Sequence, residues 1–72
     1  MRHLLAVADH GNFSRAATVL QLSQPALSRS IQGIERSVGS PLFQRSANGA
    51  EPTDIGRLFV LRARQILQMS ED

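Results

Sequence analysis

Leu27, Ile31, Ile34 and Val38 fall at i, i+4, i+7 and i+11, and Gly39 follows the last of them directly. That period draws one continuous apolar stripe along an α-helix and does not fit a strand, whose side chains alternate every second residue. Ser23 stands before the stripe as a capping hydroxyl, and Pro25 is tolerated there because the first helical turn needs no internal amide donor. The opposite face carries Gln24, Ser28, Arg29, Gln32 and Arg36, all able to hydrogen-bond a base or a phosphate. Gly33 is the one discordant position, costing roughly 1 kcal/mol against alanine in a helix interior. Close approach of another backbone is one reading of it.

The chain has 72 residues and no cysteine, so neither a disulfide nor a thiolate metal site can staple it. A domain this small buries only about 60% of the surface its unfolded chain exposes. A compact helical core therefore has to hold it, helped by self-association. The flanking segments supply partners for the stripe. Met1–His10 places Met1, Leu4, Val7 and Ala8 on one helical face, and Gly11 stands where that helix would stop. A second helix follows, with Ser14 as its expected cap and Phe13 just outside it turning inward. Ala16, Ala17 and Leu20 give that helix a close-packing face. Gln21-Leu22-Ser23 is then a three-residue connection to the striped helix.

Beyond Gly39 the helical pattern lapses. Leu42-Phe43 offers an apolar anchor, and Asn48-Gly49 signals a hairpin, so two short strands around it would form a wing with Pro52 at a strand edge or end. Thr53-Asp54 opens a last helix with a capping hydroxyl and an acid at the positive end of its dipole. Ile55, Leu58, Phe59, Ala63, Ile66 and Leu67 make this helix more apolar than a small core requires. Part of that surface should face a partner.

Charge distribution narrows the kind of partner. The net charge is only +2, and the pI of about 11.2 reflects eight basic residues that are all arginine. Between Gly11 and Ala50, Arg15, Arg29, Arg36 and Arg45 stand against Glu35 alone, whereas the remainder from Glu51 carries more acids than arginines. A positive face on the first part favours a polyanion. Two helices joined by a short turn, the second with a polar, arginine-bearing face, form a helix-turn-helix arrangement. The major groove, about 12 Å wide, admits one such helix. There Gln24 could pair with adenine, Arg29 with guanine, and Ser28 with a base or a phosphate. The helix N-termini at Ser14 and Ser23 also offer free amides to phosphates.

Phe13-Ser14-Arg15-Ala16-Ala17, Leu20, Ser23-Gln24-Pro25-Ala26-Leu27-Ser28-Arg29, Ile31, Ile34-Glu35, Gly39, Leu42-Phe43, Arg45, Thr53 and Gly56 together resemble the amino-terminal region of LysR-type transcriptional regulators. The resemblance covers essentially the whole chain. It implies a mostly α fold, a winged helix-turn-helix with a three-helix core and a short β-hairpin wing, followed by a linker helix. The expected division is a DNA-binding domain over 1–53 and a dimerisation helix over 54–72, with the family's carboxy-terminal effector domain absent. On this likeness Gln24, Pro25, Ser28 and Arg29 face the major groove. Ser14 and Arg45 contact the backbone, with Glu35 as an alternative, structural partner for Arg45. Asn48 stands where the family's wing often carries an arginine or lysine for the minor groove, and this departure should weaken non-specific binding. Leu58, Phe59, Arg62 and Ile66 are the residues expected to pair two chains antiparallel. The molybdate-responsive regulators carry a similar winged helix, but the SQPALSR element and its spacing to Leu42-Phe43 and Arg45 favour the LysR type.

The implied partners are double-stranded operator DNA at an imperfect palindrome in a promoter, and a second copy of the chain, with higher oligomers in a full-length protein. A small-molecule effector would act only through the absent domain. No cofactor, metal or membrane is expected, and the cytoplasm is the expected location: the longest apolar run, Leu4–Ala8, is too short for a span or a signal peptide. Catalysis is not expected. His3 and His10 lie two turns apart near Asp9 without a third metal ligand at suitable spacing, the serines have no paired base, and there is no glycine-rich phosphate loop. A pure protein-interaction module is the remaining alternative; steep weakening of duplex binding by salt would separate the two.

Overall fold

The turn between the first two helices shows how local chemistry sets this fold. In the computed structural model, which describes residues 2–47 and 49–71 (69–71 by their backbone), α1 spans Arg2–His10 and α2 spans Phe13–Leu20. Met1, expected on the apolar face of α1, lies outside the described residues. Asn12, extended and just outside α2, accepts the Arg15 amide on its side-chain oxygen at 2.9 Å and so caps the helix. Ser14, the expected cap, is instead an exposed residue of the first turn, and Phe13 is the first helical residue rather than a flanking one. Asparagine caps as well as serine does, and the extended backbone before Phe13 falls at Asn12, which decides between them.

α2 ends at Gln21 in the left-handed conformation, and the Leu22 amide reaches back to the Ala17 carbonyl at 2.9 Å. This is a Schellman-type stop that makes a tight turn without glycine. α3 then runs Gln24–Val38, capped as expected by Ser23, whose hydroxyl accepts the Ala26 amide, and stopped at Gly39. Leu27 and Ile31 are fully buried, each burial contributing on the order of 2 kcal/mol. They meet Leu4 and Val7 of α1 and Ala16 and Ala17 of α2 in one core, where the alanines let the helices approach closely. Ile34, Val38 and Leu20 are half-buried at its margin.

Glu35 turns the chain from α3 into the wing. Its Oε2 accepts the amides of Leu42 at 2.7 Å and Phe43 at 3.3 Å, satisfying two donors at the edge of the core. β1 (Phe43–Ser46) pairs antiparallel with β2 (Gly49–Pro52), with Phe43 opposite Pro52 and Ser46 opposite Gly49. Gly49 is thus a strand residue, and β2 begins one position earlier than a turn centred on Asn48-Gly49 would have it. Its backbone sits at φ +125°, and a β-carbon there would stand 2.1 Å from the Gly11 carbonyl oxygen, which accepts the Ala50 amide at 2.9 Å. The glycine therefore serves the docking of the wing on the α1–α2 turn. Pro52 lies at the end of its strand, as expected.

Thr53 joins wing to α4 (Asp54–Glu71). Its hydroxyl donates to the Pro41 carbonyl at 2.8 Å and accepts the Gly56 amide at 3.0 Å, while its own amide donates to the Leu42 carbonyl at 2.9 Å. Val60 and Ala63 anchor α4 in the core, and Arg64 pairs with Asp9 of α1 across its outer edge. The six apolar positions expected on α4 divide: Ala63 is buried, Phe59 and Leu67 are half-buried, and Ile55, Leu58 and Ile66 are exposed. Gly33 has nothing within 4 Å of where a β-carbon would stand, so the close backbone approach suggested for it is not found. Gly33→Ala should therefore stabilise the fold by roughly 0.5–1 kcal/mol. A thermal melt checks this, with a rise of roughly 4–8 °C per kcal/mol expected for a domain of this size.

Candidate nucleic-acid interface

The polar face of α3 lies beside the wing along a string of shallow clefts. At the start of the helix, Gln24 shares a cleft of about 310 Å³ with Asn12 and Phe13 at the head of α2 and with Arg45, Ser46 and Ala47 of the wing. One turn on, Ser28 and Gln32 line a smaller cleft of about 100 Å³ with Phe13, Glu35, Phe43 and Arg45. Gln32 and Arg36 then border a third with Gly39, Ser40 and Pro41. Gln24, Ser28, Gln32 and Arg36 recur every fourth residue, so they form one edge of the helix. Pro25 and Arg29 are exposed on the neighbouring row, also four residues apart. Ser28 is half-buried, and the other five are exposed.

Of the expected DNA-facing residues of α3, Gln24, Ser28 and Gln32 thus line clefts shared with Arg45. Ser23 is exposed with its oxygen engaged in the cap of α3. Ser14 is exposed in the first turn of α2, where helix geometry leaves the leading amides without internal acceptors. Asn48 lies outside the described residues. Among the described residues, the two ion pairs are Arg57–Asp54 and Arg64–Asp9, so Arg15, Arg29, Arg36 and Arg45 take part in neither. All four are exposed. Uncompensated arginines around a polar helix edge give a surface suited to phosphates.

Arg45 is not paired with Glu35, the alternative considered for it. The glutamate is held by the Leu42 and Phe43 amides, and the Arg45 guanidinium stands 5.0 Å over the Phe13 ring. Phe13 in turn meets Phe43 edge to face, with ring centres 6.1 Å apart and planes at 77°. The sequence reading missed this cluster. Only half of it was legible: Phe43 and Arg45 are two residues apart and share a face once the strand is placed, but nothing local brings Phe13 to them. His3, weighed above as a metal ligand, hydrogen-bonds Ser30 of α3 through Nδ1 at 2.7 Å. Among the described residues no cluster of three or more His, Cys, Asp or Glu could hold a metal, and no helix is long and apolar enough to cross a membrane.

A second feature lies along α4. Leu58, Phe59, Arg62 and Ile66, the expected dimerisation residues, line one apolar groove of about 590 Å³, completed by Leu4, Ile34 and Ala63. Leu58 is 52% and Ile66 45% exposed. Ile34, part of the apolar stripe of α3, is half-buried and forms part of this groove wall.

A family model described as "Bacterial regulatory helix-turn-helix protein, lysR family" matches residues 1–57. The HTH-type transcriptional regulator TfdT of Cupriavidus pinatubonensis is 44% identical over 69 residues, a match covering 96% of this chain and 30% of that protein. The regulator BudR of Raoultella terrigena is 46% identical over 71 residues, covering 99% of this chain and 24% of BudR. The chain therefore spans under a third of the length of either relative. Among solved structures, the CbnR_DBD–DNA complex matches with a TM-score of 0.89 at 38% identity, over 97% of this chain and 80% of that one. The complex of BenM_DBD with catB site 1 DNA matches with a TM-score of 0.91 at 33% identity, over 97% and 79%.

Proposed function

Because the chain belongs to the LysR family of bacterial regulatory helix-turn-helix proteins, we propose that it is the DNA-binding part of a transcriptional regulator, with α3 in the major groove of a promoter site. The observation that carries this reading is the likeness, over nearly the whole chain, to family domains solved on DNA. Residues 1–53 grip the duplex, and the helix from residue 54 onward pairs two copies through the Leu58, Phe59, Arg62 and Ile66 groove. Two-fold pairing makes the target an imperfect palindrome, each half read by one α3. Gln24, Pro25, Ser28 and Arg29 face the bases or backbone of the major groove, Gln32 and Arg36 a base or a phosphate, and Ser14 and Arg45 the sugar–phosphate backbone, with Ser23 and Asn48 completing the DNA-binding set. The complete regulator acts in the cytoplasm and answers a small effector through a further domain.

Selection of a random duplex pool on the purified chain tests the reading. Enrichment of a two-fold symmetric motif is expected, with binding that weakens steeply as salt rises. Retention without enrichment would limit the chain to phosphate contacts; no retention at low salt would leave a protein-interaction module. On the enriched duplex, Arg29→Ala should weaken binding by about 1–3 kcal/mol and relax preference at the base pair it reads. A variant with unchanged preference at every position would remove Arg29 from the reading set.

A further inference from the structure

Arg45 is fixed in an unusual way for an exposed arginine. A carboxylate partner would hold the guanidinium but neutralise its charge and occupy its donors. Glu35, the carboxylate that shares a cleft with Arg45, is committed to the Leu42 and Phe43 amides. Instead the guanidinium stands over the Phe13 ring at 5.0 Å. Attraction to a ring face uses none of the five N–H donors and leaves the positive charge uncompensated.

The ring is itself held on two sides. Its edge-to-face contact with Phe43 ties it to the root of β1, and its backbone opens α2 directly after the Asn12 cap. The Gly11 carbonyl, two residues earlier, accepts the Ala50 amide of β2. Phe13 thus sits where the helix-turn-helix and the wing are joined, lining a cleft with Gln24 and Arg45.

We propose that Phe13 is a positioning residue for DNA binding: its ring pre-sets the Arg45 guanidinium to meet a phosphate beside the α3 reading edge. The inference rests on the reading of Arg45 as a backbone contact. Without the ring, Arg45 would be a rotamer-rich side chain on a two-stranded hairpin, and ordering it would oppose binding.

A double-mutant cycle tests this on the 72-residue chain, with affinity for a mixed-sequence duplex of several helical turns followed over a range of salt. Arg45→Met should weaken binding and reduce the salt slope by about 0.9, the signature of one lost phosphate contact. Phe13→Leu, which keeps apolar bulk but removes the ring, should weaken binding about threefold to tenfold in the parent. It should have little further effect in the Arg45→Met background. Phe13→Tyr should recover most of the loss. Melting curves accompany each variant, and Phe13→Met replaces Phe13→Leu if the latter is unfolded at the assay temperature. Equal effects of Phe13→Leu with and without Arg45 would make Phe13 a purely structural residue and overturn the proposal, as would parent-like affinity of Phe13→Leu. An unchanged salt slope in Arg45→Met would overturn both this proposal and the phosphate role of Arg45, while leaving duplex binding by the parent intact. Absence of any duplex binding by the parent would mark failure of the DNA-binding reading itself.

Discussion

Gly56→Ala is expected to destabilise the domain by about 3 kcal/mol or more, enough to remove much of the stability of so small a fold. An added β-carbon would stand 1.9 Å from the Leu42 carbonyl oxygen and 2.9 Å from its carbon, so backbone rather than a yielding side chain is in the way. That oxygen is fixed because it accepts the Thr53 amide, and the Thr53 hydroxyl in turn bridges the Pro41 carbonyl and the Gly56 amide. Moving α4 away to make room would break this junction and withdraw Val60 and Ala63 from the core. Denaturant or thermal unfolding measures the loss, with Gly33→Ala as an internal control. The same chemical change should stabilise at Gly33, where the site is open, and destabilise at Gly56. A parent-like melting curve for Gly56→Ala would contradict the tight packing of Leu42 on α4.

Leu58→Asp is expected to turn a dimer into a monomer and to lower affinity for a duplex with two half-sites by about 10²–10⁴, the usual gain from linking two binding events. Leu58 contributes exposed apolar surface to the groove with Phe59, Arg62 and Ile66. In the proposed dimer an aspartate there would be buried without a partner, which strongly opposes association. Affinity for a duplex carrying a single half-site should fall little, since Leu58 adjoins the Ile34 side of α3 and not its polar Gln24–Arg36 edge. Light scattering on the variant reports the oligomer, and titration of the two duplexes reports the coupling. Equal losses on both duplexes would point to unfolding. An unchanged dimer would move the pairing surface away from Leu58.

Much of this architecture is legible from single residues. The Leu27–Val38 stripe, the Ser23 cap and the Gly39 stop place α3 at Gln24–Val38. Leu42-Phe43, the turn signal near Asn48, and Thr53-Asp54 place the wing and the start of α4. The polar edge from Gln24 to Arg36 follows from helical periodicity, which is why Gln24, Ser28, Gln32 and Arg36 come out along one string of clefts. These features depend on interactions within a few residues, and such interactions have the same sign wherever the segment sits.

What misled was competition between local alternatives, and what was invisible was contact across the chain. Asn12 and Ser14 are both competent caps, and the extended backbone after Gly11 chose Asn12. Gly49 looked like a turn residue, yet its small size is needed because the Gly11 carbonyl closes on it from the α1–α2 turn. Ile34 belongs to a faultless apolar stripe, but only packing shows that α4 leaves it half-open in a groove. The pairing of Glu35 with the Leu42 and Phe43 amides, and of Phe13 with Arg45, joins groups that sequence distance does not relate. The sequence thus determined the elements and the chemistry each face carries, because propensity and periodicity are short-range. The tertiary structure alone decided which charges are compensated, which glycines are obligatory and which apolar faces stay open, because those depend on what packs against them.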